Sequence, residues 1–304
     1  MSRLEEACPV YILCGPTGVG KSQLAVKIAD KYKGEILSAD SRQVYAGMDI
    51  GTAKLPPAER RVRHHLLDVV RSDELFSAQD FCQKAIMVLN ELKKKKTKPF
   101  VVGGTGLYLK ALTEGLFAGT GRVGELRGRL DGKSTPELYA ELAKVDPEKA
   151  ARLSKNDRQR IERALEVFYA HGKPMSALEK KRQIPAGFNF IWAGLNLGRK
   201  ELYCRIDLRV EKQLADGWVE EVWRLKKAGF GPEWPAFKTI GYREVYHHLE
   251  GELGYSEMVQ LIKQETRNYA KRQLTWFRHQ APVLWFDAAD PKAQDKIEKY
   301  WKLN

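Results

Sequence analysis

Three short stretches carry residue types that could do chemistry, and each follows an apolar run. The first is Gly15-Pro16-Thr17-Gly18-Val19-Gly20-Lys21-Ser22, after Val10-Tyr11-Ile12-Leu13-Cys14. Its glycines let successive backbone N–H groups turn inward, a helix start adds partial positive charge and Lys21 adds a full one. Together they make a cradle for a diphosphate or triphosphate. Ser22 is placed to put its hydroxyl on a Mg²⁺ ion that bridges two phosphates. The second stretch, Asp40-Ser41-Arg42-Gln43, follows Ile36-Leu37-Ser38-Ala39. A carboxylate at Asp40 can bind Mg²⁺, accept a proton or cap the next segment. The third, Gly103-Gly104-Thr105-Gly106, follows Phe100-Val101-Val102. Thr105 can donate to a phosphate or leaving-group oxygen, or simply cap a tight turn.

Each stretch reads as the carboxyl end of a strand, and in a parallel α/β sheet those ends face the ligand crevice. The expected fold is therefore α/β, a P-loop NTPase-like core with a parallel sheet flanked by helices. A periodic helix is expected from about Phe81 to Leu92, closed by four lysines. The run after His64-His65 reads as a further apolar strand, and the two histidines as hydrogen-bonded structural residues. From about residue 119 to 182 strand patterns give way to helices at 136–144, 147–153 and 158–171, the pattern of an inserted all-helical subdomain. Strand character returns at Phe190–Leu197, followed by a helix on which Arg205 and Arg209 recur four residues apart, a candidate second set of phosphate clamps. The C-terminal third is helical, with a last short strand near Val283–Phe286 at the sheet edge. The expected division is residues 1–118 and 186–304 for the core and 119–185 for the insertion.

Composition narrows the classes. The 304 residues carry 52 Lys and Arg against 39 Asp and Glu, a net charge of +13, which points to a polyanionic partner such as nucleic acid. Residues 150–185 hold nine basic against four acidic side chains, and residues 263–279 hold five against one, interleaved with Tyr269, Trp276 and Phe277. Such clusters suit RNA, though at helical spacing Trp276 and Phe277 also suit a core. The four cysteines show no metal-ligand spacing, which argues against a zinc site or a disulfide framework. No signal-peptide profile opens the chain and no apolar run reaches membrane-spanning length, so the expectation is a soluble, cytoplasmic protein without membrane association.

Several stretches in series carry a resemblance. Gly15–Ser22, Ser38-Ala39-Asp40-Ser41-Arg42-Gln43-Val44-Tyr45, Gly47-Met48-Asp49-Ile50-Gly51-Thr52-Ala53-Lys54, His64-His65-Leu66-Leu67-Asp68, Gly103–Tyr108, Asn156-Asp157 through Val167, and Gly241-Tyr242-Arg243 stand in the order found in the bacterial tRNA dimethylallyltransferases. The phosphate loop is generic; the others in series are specific, and the resemblance spans Gly15 to about Arg278.

The resemblance implies transfer of a dimethylallyl group from dimethylallyl diphosphate to N6 of the adenine 3′ of the anticodon, in tRNAs that read codons beginning with U. It implies Asp40 as general base and Thr105 near the reacting atoms. Gly15, Thr17, Gly18, Val19, Gly20, Lys21, Ser22 and Arg205 would hold the diphosphate, with Mg²⁺ on Ser22. It further implies tRNA contacts by Asp40, Ser41, Arg42, Gln43, Thr105, Arg127 and Gln159-Arg160-Ile161-Glu162-Arg163, the helical insertion gripping the anticodon stem-loop, and a monomer. Arg158 stands where the family has proline, which changes the helix start and adds charge. Competing readings are an adenylate isopentenyltransferase acting on free AMP or ADP, a small-molecule P-loop kinase, and a non-catalytic RNA-binding module.

Overall fold

The computed structural model describes residues 7–115, 130, 132–180 and 184–303. The chain falls into two compact units, Met1–Lys110 with Ala186–Asn304, and Ala111–Pro185.

The first unit is built on a six-stranded, all-parallel sheet. Its strands are β1 (Cys8–Cys14), β2 (Glu35–Ser38), β3 (His64–His65), β4 (Pro99–Gly103), β5 (Phe188–Asn196) and β6 (Leu284–Asp287), in the order β3-β2-β4-β1-β5-β6. β1 lies between β4 and β5, and its residues Val10 to Cys14 are buried, as expected for a central strand covered on both faces. Because β4 and β5 pair with β1 on opposite sides, the chain leaving β1 sits where the sheet order reverses, the usual ligand position in open parallel sheets. α1 (Lys21–Lys31) starts directly from the glycine-rich loop, and α2 (Ala78–Lys95) begins at a reciprocal cap between Ser77 and Asp80.

The expected apolar strand after the histidines does not continue the sheet. Pairing with β2 stops at His65, because Leu66 and Asp68 take left-handed φ values of 63° and 55°, and what remains is an isolated parallel bridge between Val70 and Tyr45. The histidines themselves are hydrogen-bonded: His64 Nδ1 lies 2.9 Å from Val62 O and His65 Nε2 lies 2.6 Å from Glu35 Oε2. Further on come α3 (Gly106–Glu114) after β4, then, in chain order, α4 (Thr135–Val145), α5 (Pro147–Arg152), α6 (Arg158–His171) and α7 (Met175–Glu179). These last four belong to the second unit, whose described residues contain no strand. They enclose their own core of Leu138, Leu142, Ile161, Ala164 and Leu165 with Leu130, and buried Asp146 accepts from Lys149 N–H and from both the N–H and hydroxyl of Ser176.

After β5 follow α8 (Arg199–Ala215), α9 (Trp218–Lys227), α10 (Tyr242–Leu249), the 26-residue α11 (Tyr255–Gln280) and, after β6, α12 (Ala293–Tyr300). α11 buries Met258, Ile262, Thr266, Ala270, Gln273 and Phe277 along one stripe. Arg267 on it pairs with Asp207 on α8 at 2.6 and 2.8 Å. Among the described residues no helix is long and apolar enough to cross a membrane.

Candidate active site

The carboxyl ends of β1, β2 and β4 bring the three chemistry-bearing stretches together. Gly15 opens the loop at φ 141°, and a Cβ there would lie 2.5 Å from Leu195 O on β5, so only glycine lets the chain turn this close to the neighbouring strand. Gly18 and Gly20 also have positive φ, which shapes the cradle, and Val19 turns its side chain into the core. Lys21 folds back so that its Nζ donates to Pro16 O at 2.8 Å. Ser22 sits in the first turn of α1, beside a small cavity that Ser38 and Gln43 also line.

Asp40 and Thr105 are joined through one short turn. Asp40 Oδ1 accepts from Arg42 N–H at 2.8 Å, and Thr105 Oγ1 accepts from Ser41 N–H at 2.9 Å and lies 3.3 Å from Ser41 Oγ. Thr105 N–H donates in turn to Ala39 O at 3.2 Å. The β2 and β4 ends are thus tied residue to residue, with a carboxylate and a hydroxyl at the tie. Tyr269 on α11 adds a phenol to the same surroundings; burial, then the Asp40 charge, push its pKa up to about 12, so it remains protonated.

The electrostatics oppose a desolvated pair of cations to one carboxylate. Burial pushes Lys21 down to about 8; Asp40 acts upward and Arg209 downward. Burial likewise holds Arg209 below its usual value, again against the pull of Asp40. Arg209 donates to Thr17 Oγ1 at 2.8 Å, while its Nε is buried with no hydrogen-bond partner. A buried guanidinium N–H without a partner is a costly feature, and this one lies beside the glycine-rich loop. Protonated Lys21 is what attracts a diphosphate, so kcat/KM for the diphosphate substrate should fall as pH rises through about 8, with a plateau below it. Initial rates from about pH 6.5 to 9.5 at subsaturating donor check this, and a flat profile would contradict it.

The loop that carries Asp40 is anchored from several sides. Lys54, buried, donates to Tyr45 O at 2.6 Å, to Asp49 Oδ1 at 2.8 Å and to Asp68 Oδ1. Buried Glu221 on α9 accepts from the N–H groups of Asp49, Ile50 and Gly51 and from the Tyr242 hydroxyl. Lys54→Met should lower stability by about 2 kcal/mol, less than for a fully buried ion pair because the side chains of Asp49 and Asp68 are 59% and 40% exposed and can rehydrate. Urea unfolding midpoints measure the difference.

Several expected residues are placed differently. Arg205, expected at the diphosphate, is engaged with Glu201 in an exposed pair at 2.7 Å, and Arg209, one turn on, is the arginine in contact with the loop. Thr17 N–H donates to Gln273 Oε1 at 2.8 Å and its hydroxyl accepts from Arg209, so both of its polar groups are held within the site. The half-buried Gln43 amide is hydrogen-bonded to Ser38 Oγ and to Thr52 and Ala53 O, which holds it against its own loop. On α6, Ile161 is fully buried in the second unit's core, which excludes a side-chain RNA contact; Glu162 pairs with Arg158 at 2.6 Å and Arg163 with buried Glu166 at 2.9 Å. Gln159 and Arg160 are exposed. Arg127 lies outside the described residues.

Sequence reasoning misses Gln273, and it reads Tyr269 only as an aromatic interleaved among cations that suit RNA. The available signal is a glutamine on the otherwise largely apolar stripe of α11, a position where a polar side chain needs a specific partner.

A family model described as IPP transferase matches residues 43–280. The chain is 46% identical over 94% of its length to tRNA dimethylallyltransferase 1 of Citrifermentans bemidjiense, covering 94% of that protein. It is 46% identical to a tRNA dimethylallyltransferase of Syntrophobacter fumaroxidans, over 93% of this chain and 84% of that one. Among solved structures, the full-length tRNA isopentenylpyrophosphate transferase of Bacillus halodurans matches with a TM-score of 0.71 and 36% identity, over 98% of this chain and 95% of that one. A eukaryotic dimethylallyltransferase acting on tRNA matches with a TM-score of 0.80 and 29% identity, over 96% of this chain and 77% of that one.

Proposed function

The chain belongs to the IPP transferase family, and from that membership we propose the following assignment of its residues to the transfer of a dimethylallyl group from dimethylallyl diphosphate to N6 of the tRNA adenine 3′ of the anticodon. The observation that carries the assignment is the tie between Asp40, Ser41 and Thr105 beside a phosphate loop backed by Lys21 and Arg209. It sets a proton acceptor beside a site for a departing anion, which alkylation of an amine by an allylic diphosphate requires.

An exocyclic adenine amine is a weak nucleophile, because its lone pair is delocalised into the ring. Asp40 Oδ1 is fixed by the Arg42 N–H, and its Oδ2 takes the amine proton as the C–N bond forms. Diphosphate leaves with the former ester oxygen on its α-phosphorus carrying the electrons of the broken C–O bond. Lys21 turns from Pro16 O to that charge, with the inward N–H groups of Gly18 to Ser22 and the unpartnered Nε–H of Arg209. Thr105 orients Ser41 and through it the Asp40 turn.

Mg²⁺ fits the donor set. Among the described residues no group of three or more His, Cys, Asp or Glu side chains could hold a metal, and a Mg²⁺ bound by one hydroxyl, phosphate oxygens and water needs no such cage. Ser22 would hold it, and the ion would neutralise charge on the diphosphate.

The adenine must leave its stack to reach the site. Exposed Gln159 and Arg160, with Arg127, are assigned to gripping the anticodon stem-loop, and the net charge of +13 favours that encounter in the cytoplasm.

Incubation of an unmodified tRNA with donor, Mg²⁺ and the protein, followed by digestion to nucleosides, tests the reading. N6-dimethylallyladenosine should form, and replacing the adenine 3′ of the anticodon by guanine should abolish it. Product from the guanine variant, or none from either, would contradict the assignment.

A further inference from the structure

Two of the three loops at this site are connected by a side chain that belongs to neither. Gln273 lies on the buried stripe of α11 and is 6% exposed. Its Oε1 accepts from Thr17 N–H at 2.8 Å and its Nε2 donates to Gly104 O at 2.8 Å. Both partners are backbone groups, one in the diphosphate loop after β1 and the other immediately before Thr105 after β4. The fit is close: a Cβ on Gly104 would lie 2.2 Å from Gln273 Nε2, so glycine at 104 is what admits the amide.

We infer that Gln273 is a positioning residue that sets the spacing between the diphosphate loop and the Thr105 turn, and so between the leaving group and the base that receives the amine proton. The inference rests on the functional reading given above. A primary amide is the side chain able to accept from one loop and donate to the other across this gap. Its helix is immobilised independently, by Arg267 on Asp207 and by Phe277 in the core, so the spacing is referred to a rigid element rather than to either loop. Alignment errors of about 1 Å between reacting groups cost on the order of 100-fold in rate. Gln273 therefore acts on kcat through geometry without touching tRNA.

Gln273→Met keeps the length and removes both hydrogen bonds. At saturating donor and tRNA we expect kcat to fall about 30- to 100-fold, with the Kd for tRNA changed less than about threefold. Gln273→Glu separates positioning from general destabilisation. Its carboxylate can accept from Thr17 N–H but cannot donate to Gly104 O, whereas its neutral acid can do both. The ratio of Gln273→Glu to wild-type kcat should therefore rise as pH falls from about 8 to about 5.5. Ile297→Val, a core change on α12, serves as a destabilised control with wild-type kcat at about 25 °C.

A wild-type kcat for Gln273→Met overturns the inference, as does a pH-independent ratio for folded Gln273→Glu. A Gln273→Met loss matched by the control at equal Tm also overturns it. Failure of the wild-type protein to modify tRNA at all would instead overturn the functional reading, so the two failures are distinguishable.

Discussion

Asp40→Asn should lower kcat by about 10³-fold at saturating donor and tRNA, within the roughly 10²- to 10⁴-fold range of general base catalysis, and leave tRNA affinity nearly unchanged. The substitution is selective because Asn retains Oδ1 as an acceptor for Arg42 N–H, so the turn that ties Ser41 to Thr105 persists. What disappears is the group that takes the amine proton. A second consequence follows from charge. Asp40 is among the groups that hold Lys21 up against burial and Arg209, so its loss moves the Lys21 pKa below about 8. The alkaline limb of kcat/KM for donor should therefore move to lower pH in the variant. Single-turnover rates near neutral pH and a donor-dependence series across pH measure both effects.

Lys21→Met should lower kcat/KM for the donor by about 10²- to 10³-fold, the usual consequence of removing one charge-stabilising donor from a site where charge develops. Two features make this lysine worth more than a surface cation. It is desolvated, which strengthens its interaction with an anion, and its Nζ rests on Pro16 O, the backbone of the loop that receives the phosphates. Arg209→Gln should be weaker, about tenfold to 100-fold, since it removes the charge and the contact with Thr17 Oγ1 but leaves Lys21 in the loop. The double variant should lose less than the product of the two, because both cations act on one leaving group. Equilibrium binding of inorganic diphosphate, measured alongside, separates ground-state affinity from the effect on the reaction.

Much of the architecture is legible in the sequence because local chemistry dictates it. Strand, glycine loop and helix from Val10 to Ala29 are set by an apolar run, glycines at positive φ and a lysine at the helix start. The parallel sheet follows from strands alternating with helices, and α6 begins and ends where its caps Asp157 and Gly172 dictate. The apolar pattern of Leu66 to Val70 misleads in extent, because left-handed Leu66 and Asp68 break the strand and leave only Val69 and Val70 bonded to the Val44–Ala46 backbone. Those residues instead wrap a loop whose Asp68 serves buried Lys54, an interaction between positions 14 apart that periodicity does not register.

The candidate site is legible where a strand end and the segment directly after it supply the residue, as at Lys21, Asp40 and Thr105, and illegible where a helix distant in the chain does. Arg205 and Arg209 share one helix face, and that Arg209 contacts Thr17 while Arg205 pairs with Glu201 arises only from where α8 meets the loop. Gln273 presents as one polar residue in a stripe that packs the core, and its two backbone partners lie 256 and 169 residues away in the chain. Ile161 is grouped with its neighbours by sequence proximity alone, whereas a helix turns adjacent residues by about 100°, placing it in the core and Arg160 in solvent.

The most direct test is one incubation with Mg²⁺ and dimethylallyl diphosphate labelled in the allylic group, with unmodified tRNA and free AMP offered in parallel, and γ-labelled ATP in a third tube. The account predicts label in the tRNA alone and none transferred from ATP. Allylic label in AMP without tRNA labelling, or phosphoryl transfer from ATP, would contradict it.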